Sequence, residues 1–169
     1  MSMSMTTELP YRPCVGIVLL NNAGLIWIGR RCGSIGEDGG NWQMPQGGID
    51  GGEDPAVAAR RELLEETGTD KAEIIAETGL WHNYDLPAEM VGVVLHGKYR
   101  GQRQKWFAMR FLGQDGDFNI HHPPLGNEPE FDDWRWAGAD EVLRSIIAFK
   151  RPVYEAVLEE FAPLTRRAG

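Results

Sequence analysis

Apolar residues fall in short strand-like runs along much of the chain and in helical spacing at three places, one in the first half and two near the end. The run Arg12 to Leu20 is rich in Val, Ile and Leu, stops at Asn21-Asn22-Ala23-Gly24 and resumes over Leu25 to Arg30, which predicts a hairpin. Gly33 to Asn41 carries four glycines and no apolar period, so it reads as a loop leading into a short extended stretch, Trp42 to Pro45. A glycine-rich loop follows over Gly47 to Gly52, its glycines read as positions of positive φ and close backbone approach. Asp54 as N-cap, Pro55 at the first helical position and Gly68 just past the end mark a helix of thirteen residues. Further strands are expected at Ala72 to Tyr84, Lys105 to Leu112 and Asp132 to Trp136, and helices at about Asp140 to Ala148 and Pro152 to Phe161. Mixed strands and helices imply an α/β (α+β) sandwich, with helices covering a mixed sheet.

At 169 residues the chain suits one domain, taken as 10–169 behind a loose tail over 1–9. No apolar run is long enough to span a bilayer and the N-terminus lacks the features of a signal peptide, so a cytoplasmic protein is expected. Cys14 and Cys32 lack metal-ligand spacing, and His82, His96, His121 and His122 form no ligand set. The net charge of −8 opposes a long nucleic-acid groove, because each phosphate contact draws on Lys or Arg. An anionic ligand must be held by bound cations or a local basic patch.

The middle helix supplies the chemistry. At about 100° per residue, Glu62, Glu65 and Glu66 share one face, while Val57 and Leu64, flanked by Ala56 and Leu63, form an apolar stripe on the far side. Read this way, the acidic face points away from the core. Three like charges at this spacing repel, and a hard oxygen-seeking cation, Mg²⁺ or Mn²⁺, would relieve them. For an isolated acidic cluster, a solvated face paired with Arg60 and Arg61 is the plainer reading.

The surrounding string changes that. Gly47, five residues, Glu53, seven residues, then Arg61-Glu62-Leu63-Leu64-Glu65-Glu66-Thr67-Gly68 resembles the Nudix box at eight fixed positions. Thr69 departs, standing where the family has an aliphatic residue. The resemblance extends over nearly all of Tyr11 to Phe161, through Tyr11-Arg12-Pro13, Trp42 to Ile49, Gln102 to Phe107, Pro129 to Asp132, Trp134-Arg135-Trp136 and Phe149-Lys150-Arg151. These strings resemble the branch that contains bacterial RNA pyrophosphohydrolases and plant-type diadenosine tetraphosphate hydrolases.

The resemblance implies a Nudix fold and Mg²⁺-dependent hydrolysis of a phosphoanhydride, on RNA 5′ ends in mRNA decay or on dinucleoside polyphosphates. It implies Glu62, Glu65, Glu66 and Glu130 as metal ligands, and Gly47, Glu53, Arg61 and Gly68 as the structural frame of the box. Water attacks phosphorus, with Glu65 as the expected base, Glu130 as its rival and Glu62 beside them. Arg12, Arg31, Arg103 and Lys105 are candidates to hold the phosphates, with Lys98 and Arg100 adding charge nearby. Phe149 is either a base-stacking platform or a core residue, and Tyr84 is a weaker candidate of the same kind. A catalytically silent nucleotide-sensing module is the rival class, and the full set of carboxylates speaks against it.

Overall fold

The computed structural model describes residues 9–32 and 41–165. Apart from Leu9 and Asn41, the expected tail and first glycine-rich loop lie outside the described residues. The chain runs β1 (Tyr11–Leu20), β2 (Ile26–Arg31), β3 (Trp42–Gln43), β4 (Gln46–Gly48), α1 (Pro55–Thr67), β5 (Ala72–Glu77), β6 (His82–Asp85), β7 (Gly101–Phe111), β8 (Phe131–Ala137), α2 (Ala139–Ser145), α3 (Arg151–Glu160) and α4 (Ala162–Thr165).

The strands form one mixed sheet. Its centre is the parallel pair β1 and β7, in register from Tyr11 opposite Gly101 to Leu20 opposite Arg110. Every other pairing is antiparallel, with β4 on the first half of β1 and β2 meeting only its end. Because strand side chains alternate between faces, β1 feeds two cores. Val18 and Leu20 pack with Trp106, Tyr154 and Val157 on the face covered by α2 and α3, whereas Val15, Ile17 and Leu19 pack with Leu63, Phe107 and Phe131 on the face covered by α1. A sheet buried on both sides explains why Cys14 to Leu20 reads as a continuous apolar run with one Gly. Gly16 is that exception: a Cβ there would overlap the Trp106 ring.

Local chemistry sets the ends. Asn21 Oδ1 accepts from the Ala23 and Leu25 amides at 2.9 and 3.0 Å, closing the first turn. Asp54 Oδ2 accepts from the Ala56 amide at 3.1 Å to cap α1, and Gly68 ends it at φ 83°.

The expected strand Ala72 to Tyr84 is instead two strands, β5 and β6, both paired with β7. The break falls at Thr78, which binds the Trp106 backbone through its amide and hydroxyl, and at Gly79, whose amide donates to Glu160 at 2.9 Å. Gly47 and Gly48 also differ from expectation, since they belong to β4 and neither has positive φ. They are small for contact: a Cβ on Gly47 would overlap the Glu62 carboxyl, and one on Gly48 the Arg12 guanidinium. Of the glycines in this expected loop, Gly52 has positive φ, at 77°.

Tyr154 ties the helical layer to the β3–β4 segment, its buried hydroxyl accepting from the Met44 amide at 3.0 Å. Tyr154→Phe leaves that buried N–H without a partner and should cost about 1–3 kcal/mol. A fall in the urea midpoint at unchanged m checks this; an unchanged midpoint refutes it.

Candidate active site

α1 does not turn its acidic face away from the core. Its buried residues are Ala58, Ala59, Leu63, Glu66 and Thr67, and at about 100° per residue Glu66 lies near the middle of that arc. Val57, assigned to the buried stripe from sequence, is 56% exposed. The reason is steric: Ala58 and Ala59 let the helix lie close to the sheet, which carries the Glu66 side chain under β4.

Arg61 organises the carboxylates. Its Nε and Nη2 donate to the two Glu53 oxygens at 2.9 Å each, and Nη2 also reaches the Gly48 carbonyl at 2.9 Å. Nη1 donates to Glu62 Oε1 at 2.9 Å and Glu65 Oε2 at 3.2 Å. Glu53 Oε1 accepts from the Asp50 amide at 3.0 Å, so the glycine-rich turn is fastened as well. These bonds from Arg61, then the Asp50 amide, hold the Glu53 carboxyl down to about 2. Thr69, which departs from the box, is buried and hydrogen-bonded: its carbonyl accepts from Thr67 Oγ1 at 3.1 Å.

Glu66 is different. Neither of its buried carboxylate oxygens has a hydrogen-bond partner among the described residues. Burial, then the charges of Glu62 and Glu130, push its carboxyl well above the usual range. Burial also raises Glu62, with Arg61 opposing.

Glu62, Glu65, Glu66 and Glu130 line one cavity of about 290 Å³ together with Arg12 and Gln46. An adjoining cavity of about 290 Å³ shares Arg12, Gln46, Gly47 and Glu130 with it and continues past Arg31, Tyr84, Phe149 and Lys150 to an apolar wall of Leu86, Met90, Val94 and Leu95. Arg31 lies 3.7 Å from Glu130 across the junction. Phe149 is half-buried, packs on the core and lines the cleft, with its ring 5.6 Å from that of Tyr84.

Arg103 and Lys105 do not reach this cleft. They sit at odd positions of β7, while Gln102, Gln104 and Trp106 face the cleft side. Arg103 instead lies 4.5 Å over Trp81, and Lys105 binds the Thr78 carbonyl. Arg100 pairs with Asp85 and stacks on Tyr11, and Lys98 lines neither cavity, so the basic patch expected along this stretch is not at the site.

Lys150 was not singled out from sequence. It is buried, donates to Gln43 Oε1 at 3.2 Å and lies 5.9 Å from both the Tyr84 and Phe149 rings. Burial, then the nearby Arg31 charge, lowers its ammonium to about 8. The string Phe149-Lys150-Arg151 was the available signal, since the lysine inside it follows the aromatic. Gln43, Gln46 and Gln102 were missed too.

The NUDIX domain profile matches residues 10–157. This chain belongs to the Nudix family. It is 53% identical over 167 residues to the RNA pyrophosphohydrolase of Rhizobium meliloti (strain 1021), covering 96% of this chain and 100% of that protein. It is 54% identical over 161 residues to the Brucella ovis protein of the same name, covering 93% and 90%. Among solved structures, the E. coli dihydroneopterin triphosphate pyrophosphohydrolase superposes with a TM-score of 0.65 at 16% identity, covering 89% of this chain and 99% of that one. A C. elegans Ap4A hydrolase superposes at 0.58 with 16% identity, covering 89% and 98%. At such identity these two show the fold alone, a mixed sheet flanked by helices.

Nudix hydrolases generally need a divalent metal ion. Glu62 and Glu65 turn one oxygen each to Arg61, and among the described residues no three carboxylate, imidazole or thiol groups stand gathered around one point. The donors nonetheless fit a hard cation, because both Glu66 oxygens are buried without a hydrogen-bond partner among the described residues.

In the metal-free protein the raised Glu66 carboxyl favours its protonated form, so stability present at low pH is lost as pH rises through that raised value. Glu66→Gln, which stays neutral, should therefore melt above wild type at about pH 8 in chelator, with the difference shrinking toward about pH 5. A constant difference across that range would contradict the burial of an ionisable Glu66.

Proposed function

We propose that this Nudix hydrolase removes pyrophosphate from 5′-triphosphorylated RNA in the cytoplasm, using Mg²⁺, with Mn²⁺ as a substitute. The observation that carries the proposal is a single cleft with two chemistries. Carboxylates line one end, cationic, amide and aromatic groups line the other, and Arg12, Gln46, Gly47 and Glu130 lie between. A nucleotide-capped phosphate chain has the same polarity, a charged chain joined to one flat base. Relatives named RNA pyrophosphohydrolase, 53–54% identical over most of the chain, support the same substrate.

Glu62, Glu65, Glu66 and Glu130 would hold the metal. When bound, Mg²⁺ neutralises charge on the phosphates and makes water a better nucleophile at neutral pH. Glu66, buried under β4, fixes the position of charge, while Arg61 aligns Glu62 and Glu65. Glu65 takes the proton from the attacking water: Arg61 occupies its Oε2, which leaves Oε1 to act as base. Arg12, at the junction, holds the phosphate chain through its planar fork. Arg31 and Phe149 flank the first nucleoside, Phe149 through the face of its ring. A net charge of −8 agrees with a site that reads only the chain end and makes no long run of backbone contacts.

Glu65→Gln and Glu66→Gln keep side-chain size, and each should lower turnover by roughly 10²–10⁴-fold in saturating Mg²⁺ with the fold intact. Near wild-type turnover in either would remove that residue from the chemistry. The substrate is tested by mass-resolved products and kcat/KM for 5′-triphosphorylated RNA beside diadenosine tetraphosphate. The RNA reading expects pyrophosphate or phosphate released from RNA with the higher kcat/KM; cleavage of the dinucleotide alone would sink it.

A further inference from the structure

Gln43 and Gln102 line the nucleoside end of the cleft, and Gln46 lines its junction with the carboxylate end. An amide offers an acceptor on one side and two donors on the other, so its partners decide which side the cleft meets. Two of the partners can only donate. The buried Trp106 indole Nε1 donates to Gln104 Oε1 at 2.9 Å. Gln104 must then turn its Nε2 the other way, where it donates to Gln102 Oε1 at 2.8 Å and to Gln46 Oε1 at 3.3 Å. On the opposite wall the Lys150 ammonium donates to Gln43 Oε1 at 3.2 Å. All three lining amides thus commit their oxygens to the protein. Among the described residues none of their Nε2 groups donates to a protein atom. Reversing any one of them would set oxygen against oxygen or N–H against N–H in a site where such mismatches are costly.

We infer that a hydrogen-bond relay from Trp106 through Gln104 fixes this end of the cleft as a floor of donors, which accepts a ligand edge made of acceptor atoms and disfavours an edge that presents an amino group to it. Arg12, Arg31 and Lys150 line the same cavity and also only donate. Gln104 is 1% exposed and lines neither cavity, so it is a positioning residue that acts through Gln46 and Gln102. The acceptors are phosphate oxygens or a base carbonyl with its neighbouring ring nitrogen. The inference rests on the proposed function only in taking the ligand to be a phosphate chain with its first nucleoside.

Gln104→Glu tests the relay without altering any residue of the cleft. The carboxylate still accepts from Trp106 but cannot donate, so Gln46 and Gln102 must turn their Nε2 groups toward it and present oxygens to the ligand. Gln102→Met removes one donor and introduces no charge, so a loss common to both variants is not mere repulsion from a new carboxylate. Binding of GTP, ATP and inorganic tripolyphosphate is followed by tryptophan fluorescence in chelator, alongside thermal melts. Wild type should bind GTP more tightly than ATP or, if the floor grips phosphates alone, bind all three with similar dependence on these glutamines. Each variant should weaken the affected ligand by about tenfold, the usual effect of one hydrogen bond to a charged or strongly polar group. A loss confined to GTP places the base carbonyl on the floor, and an equal loss with tripolyphosphate places the phosphates there. If Gln104→Glu melts early, Gln102→Met decides alone. Binding of all three probes indifferent to the folded variants overturns the inference. Because no turnover is needed, a wrong substrate would show separately, as nucleotide bound without RNA product.

Discussion

The site depends on one guanidinium. Arg61 is in contact at once with the β4 backbone at Gly48, the turn acid Glu53 and two carboxylates of α1, Glu62 and Glu65. A planar fork with five N–H donors can do this where an ammonium cannot, since the acceptors lie in several fixed directions. The contacts join a strand, a turn and a helix that otherwise meet through small residues. Gly47 must lack a side chain for Glu62 to lie against it, and Ala58 and Ala59 bring α1 close to the sheet. Without Arg61, Glu53, Glu62 and Glu65 would lose the guanidinium that binds all three.

From that seam follows the division of the cleft. Glu66 is carried to the centre of the buried helix face, where its oxygens have no hydrogen-bond partner among the described residues and its charge is disfavoured. Such a group is a standing cost in the metal-free fold and a ready ligand for a cation. Next to it the sheet changes character. The even positions of β7 that pack Trp106 and Ala108 into the core present Gln102 and Gln104 nearer the strand's start, and Arg12 of β1 lies on the same side. The parallel pairing of β1 and β7 sets Arg12 beside Gln102, and α1 brings its carboxylates to the same cleft, an arrangement suited to a ligand whose charge is concentrated at one end.

Much of this was legible in the sequence, for definable reasons. The caps of α1 are local chemistry, and the spacing from Gly47 to Gly68 encodes which residues share the helix face. The two-faced burial of β1 is foreshadowed by its unbroken apolar run. What was not legible depends on tertiary contacts. The burial of Glu66 follows from how closely α1 approaches β4, which helical periodicity alone does not contain. Thr78 breaks the expected strand only because Trp106 is there to bind it. Arg103 and Lys105 looked like phosphate ligands by charge, yet strand alternation turns them to the other face, a rule that applies once the strand's cleft side is known. The amide relay joins residues 58 positions apart, Gln46 and Gln104, and the Lys150 bond spans 107, so neither leaves a local pattern.

The most direct test of the account is thermal unfolding of Arg61→Ala, Glu53→Ala and the double variant, with Mg²⁺ affinity measured by calorimetry on each. If Arg61 is the clamp, both single variants melt earlier and bind Mg²⁺ more weakly, and the double variant loses less than the sum of the two because each removes the same contact. An Arg61→Ala protein that melts and binds Mg²⁺ as wild type does, while turning over substrate poorly, would contradict this and make Arg61 a direct phosphate contact.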